Sequence, residues 1–141
     1  MTQLFLLGRV ILGAYFVFGG IEHFQKLTPM SEMAAKAGVP APAAAIALSG
    51  LLLLIGGASI LSGVAPKLGV LALALFLVPV TLTMHRFWQE DGARRMMDFV
   101  NFTKNFGLLG AVVMLVAIPE PWPFSLHLGH RFTRIVNPAR T

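Results

Sequence analysis

Apolar residues gather into four long runs along this chain, and most ionisable groups lie between the runs or near their ends. The runs occupy residues 4–24, 43–63, 67–85 and 99–118. Each comes close to the roughly 20 residues that an α-helix needs to cross the hydrocarbon core of a bilayer. The first run closes on "FGGIEHFQK" (18–26) and holds Arg9 within its apolar stretch. No small-x-small cleavage site follows, so it reads as a retained helix rather than a signal peptide. The link "VAPK" (64–67) is so short that the second and third helices must be antiparallel neighbours. The pattern predicts an all-α fold: a four-helix transmembrane bundle, antiparallel and up-down, over residues 1–118, followed by a basic C-terminal tail over 119–141.

Between the first two runs, "TPMSEMAAKAG" (28–38) predicts a short helix of its own. Thr28 suits the N-cap, Pro29 the first helical position and Gly38 the stop. Met30, Met33, Ala34 and Ala37 then share one face, as in a helix lying on the membrane surface; an ordered loop is the plainer alternative. After the fourth run the alternating prolines of "PEPWPF" end the helix, and Trp122 and Phe124 suit the headgroup level. His127 and His130 read as solvent-facing. Gly13 and Gly20, then Ser49, Gly50, Gly56 and Gly57, then Gly107 and Gly110 read as contacts where helices approach closely. Pro79 inside the third run predicts a kink.

Composition agrees with the periodicity. The chain of 141 residues is 56% hydrophobic and 12% charged, about half the charge fraction of a soluble domain, and its mean hydropathy is +0.75. No soluble fold buries so much apolar surface, so the chain is an integral membrane protein with the lipid bilayer as its first partner. The net charge of +5 is spread between apolar segments; it suits anionic headgroups and not nucleic acid. The lack of cysteine removes disulfides, thiolate metal ligands and thiol–disulfide chemistry carried by this chain.

Four spans in series alternate direction, so the helix ends can be sorted by side. If the side holding both termini is side one, then Glu22, His23 and Lys26 end the first helix on side two. His85, Arg86 and Trp88 end the third helix there, and Asp98, Asn101, Lys104 and Asn105 begin the fourth there. Asp98, Asn101 and Asn105 recur at i, i+3 and i+7 and share a face. Polar groups below the reach of water usually face a bundle interior or a wet cavity. These residues therefore predict a polar pocket, gathered in one layer and open on side two, lined by Glu22, His23, Lys26, His85, Trp88, Asp98, Asn101, Lys104 and Asn105. Lys104 lies deepest, and Glu22 at the same level is its expected ion-pair partner. Plainer readings exist for each group. Glu22–Lys26 and Asp98 with Arg94 or Arg95 form interfacial ion pairs of little worth; Asn101 and Asn105 bond between helices. Glu22, His23 and His85 form a two-histidine, one-carboxylate set of the kind that binds zinc or iron, a combination that also arises by chance. Arg9, far from this layer, either snorkels to side one or bonds Ser59 or Ser62.

The order "GGIEHFQK", "AGVPAP", "LLLLIGGASILSG", "HRFW" and "NFTKNFGLLGAVVML" resembles the DoxX/DoxD-like membrane proteins over nearly the whole chain to about Ile118. The resemblance implies a four-helix transmembrane bundle. It also implies a place among proteins linked to quinone-coupled thiosulfate oxidation, to oxidative-stress complexes, or to no assigned activity. Many members carry an acid shortly before the Gly-Gly of the second helix, where this chain has Leu53. Three functions follow as expectations. The first is a non-catalytic membrane subunit or binding protein, whose pocket holds a small amphipathic ligand or a segment of a membrane or soluble partner. The second is a subunit of a quinone-linked oxidoreductase, with His23 or His85 donating to a quinone oxygen. The third is a proton- or ion-coupled transporter, small for the task with four short helices unless it forms a homo-oligomer. Basic residues are nearly balanced between the two sides; the family analogy places the protein in a bacterial inner membrane with both termini cytoplasmic.

Overall fold

The computed structural model describes residues 1–126, so the tail expected over 119–141, with His127 and His130, lies mostly outside the described residues. The chain forms α1 (Thr2–Gln25), α2 (Leu27–Lys36), α3 (Pro42–Ser62), α4 (Pro66–Met84) and α5 (Gly92–Met114). Short 3-10 turns at Phe87–Gln89 and Leu115–Ala117 extend α4 and α5. Four of these helices, α1, α3, α4 and α5, are long and apolar enough to cross a membrane, and the described residues contain no strand. The protein is an all-helical, multi-pass membrane bundle, as its apolar periodicity predicts.

Two boundaries differ from the sequence reading. The short helix α2 starts at Leu27, with Lys26 rather than Thr28 at its N-cap. Pro29 still falls in the first turn, where its missing N–H costs nothing, and Gly38 ends the helix at φ +80°. Helix α5 starts at Gly92 rather than Phe99. Ala93, Arg94, Arg95, Met96 and Met97 are good helix formers whatever their polarity; hydropathy marks the membrane-embedded part of a helix and not its whole length.

Helices α1, α3, α4 and α5 pack in that order, each on the next, and α2 lies on α3. The α1–α3 contact is the tightest. A Cβ built on Gly13 would stand 2.8 Å from the Leu61 nitrogen, and one on Gly57 would stand 2.7 Å from the Val17 nitrogen. These backbones touch because neither residue has a side chain. Gly56 receives Leu73 in the same way. The core between the helices is Phe16, Leu53, Ile60, Val70, Leu73, Leu77 and Val112. Gly107 and Gly110 depart from expectation: nothing lies within 4 Å of a Cβ at either. Both face outward on α5, where a helical period alone cannot separate a lipid face from a packed one.

On side one the bundle is sealed. Arg9 is buried, and its two terminal nitrogens donate to the carbonyls of Pro123 (2.9 Å) and Phe124 (3.0 Å). It neither snorkels nor bonds Ser59 or Ser62; those hydroxyls serve the carbonyls of Val64 and Ala58. Trp122 is not at the surface but buried, edge-on to Phe5 with ring centres 5.3 Å apart. The Leu126 amide donates to the Ser62 carbonyl at 2.9 Å. The segment after α5 thus folds back over the ends of α1 and α3, which puts the start and the end of the described chain at one end of the bundle.

Candidate functional site

Side two is built differently because α1 stops short there. The His23 ring, near the end of α1, meets Phe76 of α4 edge-on at 5.7 Å. Helix α4 then runs eight residues further to Met84, roughly 12 Å by helical rise, and His85 follows as its C-cap. Helix α2 leans across the recess and is tied at its far end, where Arg86 Nη2 donates to the Ala37 carbonyl at 2.7 Å. Beneath α2, and between α1 and α5, lies a cavity of about 730 Å³. That is within the usual range for a small-molecule site.

Seven of the nine expected pocket residues line this cavity: Glu22, His23, Lys26, His85, Asn101, Lys104 and Asn105. The other two stand apart from it. Asp98 reaches it only through His85, whose Nδ1 lies 3.3 Å from Asp98 Oδ1. Trp88 packs edge-on against Phe87 and Phe102 and is half exposed. It is an aromatic of the α4–α5 corner rather than a wall of the cavity. The expected single layer is instead two tiers. His85 and Asp98 form the outer tier; His23, level with Phe76, lies deeper, and Asn105 lies seven residues or roughly 10 Å deeper than Asp98 on α5. The difference follows from the early end of α1.

Several expected pairings do not form. Glu22 Oε1 accepts from Lys26 Nζ at 2.6 Å, and Lys104 Nζ donates to Asn101 Oδ1 at 3.0 Å, so Glu22 and Lys104 are not bonded. The i, i+4 spacing within one helix wins over the contact across the cleft. Asp98 pairs with His85 rather than with Arg94 or Arg95; Arg94 instead bonds Glu90 at 3.2 Å. The set Glu22, His23 and His85 does not converge, and among the described residues no three histidine or carboxylate groups come together to hold a metal. Each already has another partner.

Hydrogen bonding fixes the tautomers. His23 Nδ1 lies 2.8 Å from the Gly19 carbonyl, which can only accept, so Nδ1 carries the proton and a neutral ring keeps its lone pair on Nε2. His85, held by the Asp98 carboxylate, is fixed in the same sense. Asn105 is buried, and its carboxamide has no hydrogen-bond partner among the described residues. Below this polar ring the wall is apolar: Tyr15, Phe16, Phe18, Leu53, Phe76, Leu77 and Leu108. None of these was legible as a site residue, since apolar residues inside a span look alike. Met30 and Met33, on the α2 face marked by its period, form part of the roof.

A smaller cavity of about 410 Å³ lies between α2, α3 and α4 and shares His23 and Phe76 with the first.

A family model described as DoxX covers residues 4–86, which takes in Glu22, His23, Lys26 and His85 and ends before α5. No curated protein matches, and no solved structure matches.

Proposed function

This chain belongs to the DoxX family, and we propose that it is a non-catalytic membrane subunit or binding protein whose side-two cavity holds a small amphipathic ligand. One observation carries the reading: a 730 Å³ cavity with a polar ring at its mouth and an aromatic and aliphatic wall beneath. Such a lining suits a molecule with one polar end and one apolar end, because each half meets its own kind. In this reading the cavity faces the periplasm of a bacterial inner membrane, with both termini cytoplasmic. Purification in a mild detergent, followed by mass spectrometry of co-purifying small molecules and proteins, tests it. Gly19 lines the cavity, and a Cβ there meets only Leu53, at 3.8 Å; Gly19→Leu therefore fills the space without moving the backbone. A small molecule near one per chain, falling at least tenfold in Gly19→Leu, supports the reading. A stoichiometric protein partner supports the subunit part of the reading; the absence of any small molecule near one per chain overturns the ligand-holding part.

The two imidazoles favour a second reading, a subunit of a quinone-linked oxidoreductase. His23 and His85 line the cavity with Nδ1 already engaged. In its neutral form each ring offers an Nε2 lone pair to a hydroxyl of a reduced quinone rather than the expected donor, and the amides of Asn101 and Asn105 suit the oxygens of an oxidised one. The residues fit such a headgroup, which would supply electron-transfer chemistry when bound; the chain's own part is to orient it.

A further inference from the structure

We propose that the cavity takes a long-chain carboxylate, a free fatty acid, with its head on Lys104 and its chain leaving sideways into the bilayer between α1 and α5. The inference rests on the binding reading above and names the ligand class for that site.

The head group follows from charge. Lys104 has no carboxylate partner among the described residues; its one bond is to Asn101 Oδ1, and Glu22 is held by Lys26. The cavity lining therefore carries two ammonium groups, on Lys26 and Lys104, against the single carboxylate of Glu22. A cation one to two turns inside an apolar span needs an anion or a route to water. Asn101 spends its oxygen on Lys104, which leaves its amide N–H groups free, and Asn105 lines the cavity with no hydrogen-bond partner for its carboxamide among the described residues. An ammonium beside two amide donors is matched by a carboxylate, which only accepts hydrogen bonds.

The chain's route follows from packing. Helix α1 packs on α3, and α5 packs on α4, yet residues of both α1 and α5 wall the cavity. Two of those wall residues, Tyr15 and Phe18, are 49% and 70% exposed. The cavity wall therefore passes onto the lipid face without a closing helix. From Glu22 down to Tyr15 is seven residues, roughly 10 Å by helical rise, so the end of a dodecyl chain must pass out through this opening.

The test uses the full chain in phosphatidylcholine nanodiscs and three probes with the same twelve-carbon chain: laurate, dodecanol and dodecyltrimethylammonium. Laurate is expected to bind at least tenfold more tightly than dodecanol, and the cationic probe least. Lys104→Met should bring laurate down to the level of dodecanol, Asn105→Leu should weaken laurate several-fold, and Lys36→Met should change nothing. Equal binding of laurate and dodecanol to the unmodified protein, both blocked by Gly19→Leu, would leave the binding reading standing and overturn the carboxylate assignment. Failure of all three probes would overturn both. Laurate carrying a diazirine at its chain end should label Tyr15, Phe18 or Leu108; labels confined to Met30 and Met33 would place the chain under α2 and overturn the sideways route.

Discussion

Each end of the bundle has one basic residue set within an apolar span, and the two are used in opposite ways. Arg9 is buried, and its planar fork reaches two successive carbonyls of the segment after α5. Lys104 is exposed within a cleft and bonds only its neighbour Asn101 one turn away. A guanidinium presents several donors in fixed directions, so it can fasten a strip of backbone; an ammonium is a compact charge that needs a counter-charge. The contrast teaches that a charge within a span does not by itself mark a functional site. What matters is whether the chain supplies its partner. Side one supplies carbonyls and closes. Side two supplies Lys104 one amide oxygen but no counter-charge, and keeps its volume open.

The largest expected effect tests what holds α1 away from α5. Gly57→Ala would drive a Cβ into the Val17 nitrogen and the Gly13 oxygen, at 2.7 and 2.8 Å. Backbone atoms cannot swing aside, so α1 must separate from α3, at a cost of about 3 kcal/mol, the upper end for overpacking. Gly107→Ala meets nothing within 4 Å and should be neutral or stabilising, by up to ~1 kcal/mol of helix propensity. Folded protein retained after heating in detergent reads both. Equal losses would show that the close α1–α3 approach does not set the frame of the cleft.

Next in size is the side-one seal. Arg9→Met keeps the length of the side chain but strands two carbonyls. A loss of about 2 kcal/mol is expected: hydrogen bonds to a charged group are worth more than neutral ones, and relief of burying the charge offsets part of what is lost. The more telling readout is local. Trp122 is buried against Phe5, and in a Trp88→Phe background it is the one tryptophan left of the two in the chain. Its fluorescence should shift to the red in Arg9→Met as the segment detaches. An unshifted spectrum would mean that Phe5 and Trp122 close side one without the arginine.

These two regions were unequally legible. Four spans, the α2 stop at Gly38 and the close contacts at Gly13 and Gly57 follow from periodicity and residue size, which are local. The gathering of His23, His85, Asn101 and Asn105 around one cavity follows from alternating direction alone. The side-one clamp was not legible, because a span arginine can snorkel, pair or donate to backbone, and the carbonyls that accept from it carry no sequence signal. The two-tier depth of side two was missed for a related reason: helix lengths do not reveal stagger, which the His23–Phe76 contact sets. Outward glycines at 107 and 110 carry no local mark that separates them from the packed ones at 13 and 57.

The smallest expected effect decides whether side two is open in the sense that side one is closed. Glu22 and Lys104 line one cavity with opposite charge, and in isolation each should seek the other. Lys26 reaches Glu22 first, at 2.6 Å within the same helix, with both side chains at least half exposed. Water screens that pair, so it leaves Glu22 little reason to cross the cleft. Glu22→Gln and Lys104→Met should therefore shift thermal retention independently, and the double variant should equal their sum. Glu22→Gln with Lys26→Met should show a small coupling that fades in high salt. A coupling between Glu22 and Lys104 outside measurement error would mean that the ammonium does bridge the cleft. Side two would then be drawn together by an ion pair much as side one is by Arg9, and the free cation needed to hold a carboxylate would no longer exist.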